Sequence, residues 1–210
     1  MNKGILFDLD GTLWDATYQM LPAWNRVLVR HGMSPRLTIS DMQGLMGKTV
    51  EQIAAIILPE LTSEEGLRIV DECCKEELIE LGANGGILYP DVEATIARLA
   101  KRYRLFIVSN CQDGYIQTFL KMHGFESVIS DYESYGKTGR SKGENILLVM
   151  RRNGIERACY LGDTQSDADA AFYAGIPFVH ASYGFGSVEE SIHRIEQFAL
   201  IEQETEMLLS

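Results

Sequence analysis

Five short aliphatic runs, at residues 4–7, 105–108, 128–130, 159–161 and 178–179, each give way to a polar residue or a tight turn. They stop at Asp8, Ser109, Asp131, Gly162-Asp163 and His180. Segments of helical period separate the later runs, and this alternation predicts an α/β fold on a parallel sheet. In such a sheet all carboxyl ends lie on one edge, where ligands bind, so the polar stops are expected to meet there.

The later helices are well punctuated. Val92, Ile96 and Leu99 share one face, Ile116, Phe119 and Leu120 another before Gly124, and Ile146, Leu147 and Met150 a third before Gly154. Residues 15–82 break the rhythm, with no convincing strand and too many residues for a simple crossover, which predicts a helical insert. Within it, Leu21, Trp24, Leu28 and His31 form one stripe ended by Gly32, and Ile53, Ile56 and Ile57 form another ended near Pro59. A third helix starts at the Thr62/Glu65 capping-box spacing and runs through Leu67, Val70, Cys74 and Leu78 to Gly82. The expected division is an α/β core of residues 1–15 and 85–210 and a helical domain of residues 16–84. Residues 15–17 and 83–90, the latter with Gly85, Gly86 and Pro90, are the hinge candidates.

Charge narrows the partners. Nineteen Lys and Arg stand against 30 Asp and Glu in 210 residues, a net charge of −11, which repels nucleic-acid backbones and anionic membranes. No run approaches the roughly 18 apolar residues of a membrane span. Asp8 interrupts the N-terminal apolar run too early for a secretory segment, and Cys73, Cys74, Cys111 and Cys159 have neither zinc nor disulfide-frame spacing. A soluble, cytoplasmic protein with reduced, structural thiols is expected. An acidic chain that handles a phosphorylated metabolite needs a metal or a local basic pocket.

Two acidic pairs supply the means to hold one. Asp8 and Asp10, in Asp8-Leu9-Asp10-Gly11-Thr12, project to the same side of an extended segment, and Gly11 permits a sharp turn after them. Asp163 and Asp167 follow another strand, in GDTQSD at residues 162–167. Either pair alone is ordinary turn or helix-start chemistry. On one sheet edge they form a carboxylate cluster in which each like-charge pair about 4 Å apart costs about 4 kcal/mol, and a hard cation relieves it. Oxygen ligands without His or Cys select Mg²⁺, which takes phosphate oxygens as further ligands. Ser109 and Asn110 offer a hydroxyl and an amide to a phosphate, and Lys142 a point charge at a helix start where the dipole disfavours it.

In this order the four elements resemble the motifs of the haloacid dehalogenase superfamily, specifically its phosphatases with a helical cap inserted after the first motif and related to the phosphoglycolate phosphatase group. The resemblance spans nearly the whole chain. It implies a three-layered, Rossmann-like core with Asp8 at the tip of the central strand. It also implies Asp8 as nucleophile, Asp10 as general acid and base, and Mg²⁺ held by Asp8, Asp163 and the main-chain carbonyl of Asp10. Ser109, Asn110 and Lys142 would bind the phosphoryl group, Asp167 would orient Lys142 or a metal-bound water, and Thr12 would assist Asp10 and the phosphate site through its hydroxyl. In the cap, Lys48 falls where relatives contact the leaving group. Gly143 replaces the proline that usually follows the third-motif lysine, and Lys137 is a nearby rival to Lys142. An acid at position 10 favours ester cleavage over dehalogenation. The implied activity is hydrolysis of a small phosphate monoester; a phosphomutase of the β-phosphoglucomutase type and a non-catalytic phosphate-binding or signalling protein are the alternatives.

Overall fold

The computed structural model describes residues 2–189 and 192–210. Strand β1 (Lys3–Phe7) leads to a short β2 (Trp14–Asp15), then to four helices, α1 (Thr17–Arg30), α2 (Ile39–Leu45), α3 (Val50–Ile57) and α4 (Ser63–Asn84), and back through β3 (Ile87–Leu88). The remainder alternates: α5 (Val92–Leu99), β4 (Arg104–Ser109), α6 (Tyr115–His123), β5 (Ile129–Ser134), α7 (Tyr135–Thr138), α8 (Lys142–Arg152), β6 (Arg157–Gly162), α9 (Gln165–Ala174) and β7 (Phe178–Ala181). Strand β8 (Arg194–Ile195) and α10 (Ile201–Leu209) close the chain.

Six strands form one sheet in the order β5-β4-β1-β6-β7-β8, parallel throughout. Side chains alternate across it and bury both faces. Ile5 and Phe7, with Leu105 and Ile107, pack under α5, α6 and α10, while Leu6, Phe106, Val108 and Tyr160 pack against Ile146 and Val149 of α8 and Ala171 of α9. Two layers of helices over one sheet are the three-layered α/β class that the runs and the resemblance implied. Full burial of each Leu, Ile or Phe contributes about 1.5–3 kcal/mol, which makes these two interfaces the main source of stability.

In the helical segment, α2, α3 and α4 each begin with a capping box, at Thr38/Asp41, Thr49/Gln52 and Thr62/Glu65. The expected stripes shift in detail. Ile56 is exposed and Ala54 takes its place beside Ile53 and Ile57, because the buried face of α3 turns toward α4. His31 lies past the end of α1 and meets Glu72, and α4 runs through Gly82 to a cap at Gly85. The two connecting segments are not separate loops: β2 and β3 pair antiparallel, Trp14 opposite Leu88 and Asp15 opposite Ile87. The expected strand at 128–130 extends to Ser134, and β8 and α10 are additions to the sequence reading. Among the described residues no helix is long and apolar enough to cross a membrane, and the four cysteines are free.

Phe119 is fully buried, edge-on to Trp14 at 5.1 Å and tilted against Phe125 at 5.6 Å. Phe119→Ala is expected to cost about 3–5 kcal/mol in urea denaturation, since it opens a cavity that the aromatic ring edges cannot refill.

Candidate active site

The chain runs from β1 outward to β4 and β5, then crosses back to β6 and onward to β7, so the winding direction reverses around β1. A crevice opens at such a reversal beyond the carboxyl ends of the strands. Asp8 follows β1, Ser109 ends β4 and Asp163 follows β6, which brings all three to it. The Asp8 N–H donates to the Leu161 carbonyl at 2.8 Å and so carries strand pairing past the end of β1. Gly11 then turns with φ +78°, where a Cβ would stand 2.2 Å from Asp163 Oδ2. The close approach of the two acidic segments thus requires glycine.

Side-chain oxygens of Asp8, Asp163 and Asp167 all lie within 4.8 Å of one another, in residues that are essentially inaccessible to solvent. Among the described residues one cation enters this cluster: Lys142 Nζ is 2.6 Å from Asp167 Oδ1 and 3.0 Å from Asp8 Oδ1, itself 3% exposed. Burial, followed by the charge of Asp167, pushes the Asp8 carboxyl above its ordinary range against the pull of Lys142. Asp163 is raised for the same first reason, with Asp167 and Asp8 adding to it. Burial works against the charge on Lys142, but Asp167 and Asp8 outweigh it and its pKa rises. Asp163 Oδ2 accepts from the N–H groups of Phe185 and Gly186 at 2.8 and 3.0 Å, while its Oδ1 is buried without a partner. An oxygen-only donor set with excess negative charge and a partnerless carboxylate oxygen fits a hard divalent cation.

Asp10 is treated differently. Its side chain stands outside the cluster and accepts from the Tyr115 hydroxyl at 2.8 Å. Burial drives its pKa well up, opposed by the Tyr115 hydrogen bond and reinforced by Asp8 and Glu77. A carboxyl whose pKa is raised by burial is suited to hold a proton for general-acid work.

Geometry separates the two lysines. Lys137 pairs with Glu133 at 3.0 Å and is half exposed, whereas Lys142 is buried beside Asp8. Helix α8 tolerates a lysine in its first turn because the Ser141/Glu144 capping box and the two aspartates offset the dipole. A Cβ at Gly143 would fall 2.7 Å from the Tyr173 ring, which explains glycine at that position. Asp167 does two tasks: Oδ1 receives Lys142, and Oδ2 accepts from Thr164 N–H and Oγ1 at 3.0 and 2.6 Å, capping α9.

Ser109 and Asn110 are buried at the end of β4, and Asn110 Nδ2 donates to the Gly47 carbonyl in the helical segment at 2.8 Å. Lys48, half-buried in the turn between α2 and α3, borders the same cleft as Asp10, Ser109 and Asn110. Thr12 departs from expectation. Its hydroxyl is buried without a partner and does not reach Asp10, whose bond goes to Tyr115 instead. Two residues escaped the sequence reading. Tyr115 looks like any core aromatic at a helix start. Glu77, 1% exposed on α4, left a signal, since it is a charge in the apolar stripe that contains Val70, Cys73, Cys74 and Leu81.

Residues 5–181 match the family model described as haloacid dehalogenase-like hydrolase. The chain belongs to that family of hydrolases. A phosphoglycolate phosphatase of Xanthomonas campestris pv. campestris (strain 8004) is 26% identical over 206 residues, covering 96% of this chain and 92% of that one. The plasmid-encoded phosphoglycolate phosphatase of Cupriavidus necator is 28% identical over 192 residues, covering 86% and 81%. Among solved structures, a haloacid dehalogenase-like hydrolase from Bacteroides fragilis superposes with a TM-score of 0.84 at 27% identity, over 96% of this chain and all of the other. The fold alone is shared with a family protein from Streptococcus pneumoniae, at a TM-score of 0.83 and 20% identity over 97% and 98% of the chains.

Burial pushes the Glu77 carboxyl from its ordinary 4.5 up to about 7, against hydrogen bonds from Gln112 and Trp24. The folded state therefore binds the proton more tightly than the unfolded one, and stability from this group is lost as pH rises from about 4.5 through about 7. Glu77→Gln removes that slope. Its stability relative to wild type is expected to climb by up to about 3 kcal/mol between these limits, measured by urea denaturation across the range.

Proposed function

We propose that the chain is a phosphoric monoester hydrolase, a Mg²⁺-dependent phosphatase of small phosphorylated metabolites that works through a phosphoaspartate at Asp8. The observation that carries this reading is the division of labour among buried carboxylates. Asp8 is paired with Lys142 in the cluster, Asp163 keeps a partnerless oxygen, and Asp10 stands apart with a raised pKa. The relatives named phosphoglycolate phosphatase support the same reaction type. Free thiols and an acidic surface suit the cytoplasm.

Asp8, Asp163 and the main-chain carbonyl of Asp10 would hold Mg²⁺, whose charge, when bound, lets an anionic nucleophile and an anionic phosphate approach. Ser109, Asn110 and Lys142 hold the phosphoryl oxygens, and Asp167 keeps the Lys142 ammonium turned toward them. A carboxylate oxygen of Asp8 attacks phosphorus in line; its P–O bond forms as the ester P–O bond breaks, and the leaving alkoxide takes the Asp10 proton. Asp10, now ionised, takes a proton from water. The water oxygen attacks phosphorus, the bond to Asp8 breaks, and inorganic phosphate leaves. The cap helices close over the site and exclude bulk water while the phosphoenzyme exists.

Hydrolysis of p-nitrophenyl phosphate tests this directly. Chelation is expected to abolish turnover and Mg²⁺ to restore it, and Asp8→Asn to lose at least about 10³-fold with no phosphoenzyme trapped. Substantial turnover by Asp8→Asn rules out the phosphoaspartate route. Lys142→Ala is expected to lose about 10²- to 10³-fold in kcat, and Lys137→Ala to stay within about threefold. Retained activity in Lys142→Ala removes that residue from the mechanism.

A further inference from the structure

The buried stripe of α4 passes through Ile69, Val70, Cys73, Cys74 and Leu81, and packing there would be better served by an apolar side chain than by Glu77. Glu77 is held in place instead. Trp24 Nε1 on α1 donates to Oε2, and Gln112 Nε2, in the loop after β4, donates to Oε1. Among the described residues no lysine or arginine forms an ion pair with it. Each oxygen thus has one donor, and a carboxylate, with about four acceptor positions, has capacity for more.

Glu77 lines the cleft that Asp10, Ser109 and Asn110 also border, a narrow space that is partly open to solvent. With the phosphoryl group held at Ser109, Asn110 and Lys142, and its ester oxygen at Asp10, the alcohol part of the substrate extends into this cleft. Much of the remaining wall is apolar, including Met20, Leu45 and Ile53, with the half-buried Lys48 at the rim. Glu77 is thus a buried acceptor in the wall of that cleft, held by Trp24 and Gln112.

We infer that Glu77 selects the leaving group, accepting a hydrogen bond from a hydroxyl or ammonium on the alcohol part of the ester. Short hydroxylated or aminated phosphate monoesters are then preferred over one whose alcohol part carries only a carboxylate. This rests on the phosphatase reading above. A donor to a buried carboxylate gains a charge-assisted bond worth about 10- to 100-fold in kcat/KM, while a carboxylate there meets like charge from Glu77 in a poorly solvated cleft.

The test compares kcat/KM for glycerol 3-phosphate, O-phosphoethanolamine, phosphoglycolate and p-nitrophenyl phosphate with Mg²⁺ at about pH 8, where Glu77 is ionised. Wild type, Glu77→Gln and Glu77→Ala are measured. Wild type is expected to favour glycerol 3-phosphate or phosphoethanolamine over phosphoglycolate by at least about tenfold, and Glu77→Ala to reduce that ratio to within about threefold. Glu77→Gln separates the two donors, since it keeps an acceptor for a hydroxyl and loses the charge that an ammonium requires. Because Gln112 can turn its amide over, Glu77→Gln retains both neighbouring contacts, and ratios within one enzyme do not depend on how much of it folds. Preference of wild type for phosphoglycolate overturns the inference, as do ratios unchanged in both variants. Failure of wild type to cleave any ester, p-nitrophenyl phosphate included, overturns the phosphatase reading itself and this inference with it.

Discussion

Three carboxylates and one ammonium share a volume from which water is excluded, and the architecture around them follows from that imbalance. Asp8 and Asp163 come from strands on either side of the winding reversal, and Asp167 and Lys142 from the first turns of two helices that pack on the same face of the sheet. Each neighbour is arranged to keep the charges apart or to satisfy them. Phe185 and Gly186 donate backbone N–H groups to Asp163, Thr164 donates to Asp167, and Gly11 lets the first acidic segment pass the second without a side chain between them. An uncompensated buried charge costs several kcal/mol, so a change at any of these positions is felt by all the others.

Two aspartates two residues apart acquire opposite characters. Asp8 faces Lys142 and its carboxylate partners, and Asp10 faces a tyrosine hydroxyl and an otherwise desolvated pocket. Nothing in their chemistry differs; the surroundings set them apart. The helical segment completes the arrangement through contacts across the seam, among them the Gly47 carbonyl with Asn110 and Glu77 with Gln112. The position of the helices and that of the loop after β4 are therefore tied together.

Much of this was legible in the chain before any coordinates. The polar stops at Asp8, Ser109 and Asp163 mark strand ends because a buried parallel strand must be apolar until it leaves the sheet. The order of the acidic pairs and Lys142 suffices to suggest the chemistry. What was not legible depends on long-range packing. The bond from Tyr115 to Asp10 joins residues 105 positions apart, and nothing local distinguishes that tyrosine from a core aromatic. Thr12 belongs to the motif, yet its hydroxyl is buried without a partner, which the sequence does not reveal. Ile56 and Ala54 exchange places because the face of a short helix is fixed by its neighbour. Glu77 was visible as a charge in an apolar stripe, but only the cleft beside Asp10 gives that irregularity a purpose.

The antiparallel contact between β2 and β3 brings the entry and exit of the four helices side by side, as a single stem. Thr17 to Asn84 thus leave and re-enter the core at neighbouring points, so the strand order beneath does not depend on the length of that excursion. Selectivity and reaction can then diverge at different paces, except where the helices touch the core, as at Gly47 and Glu77.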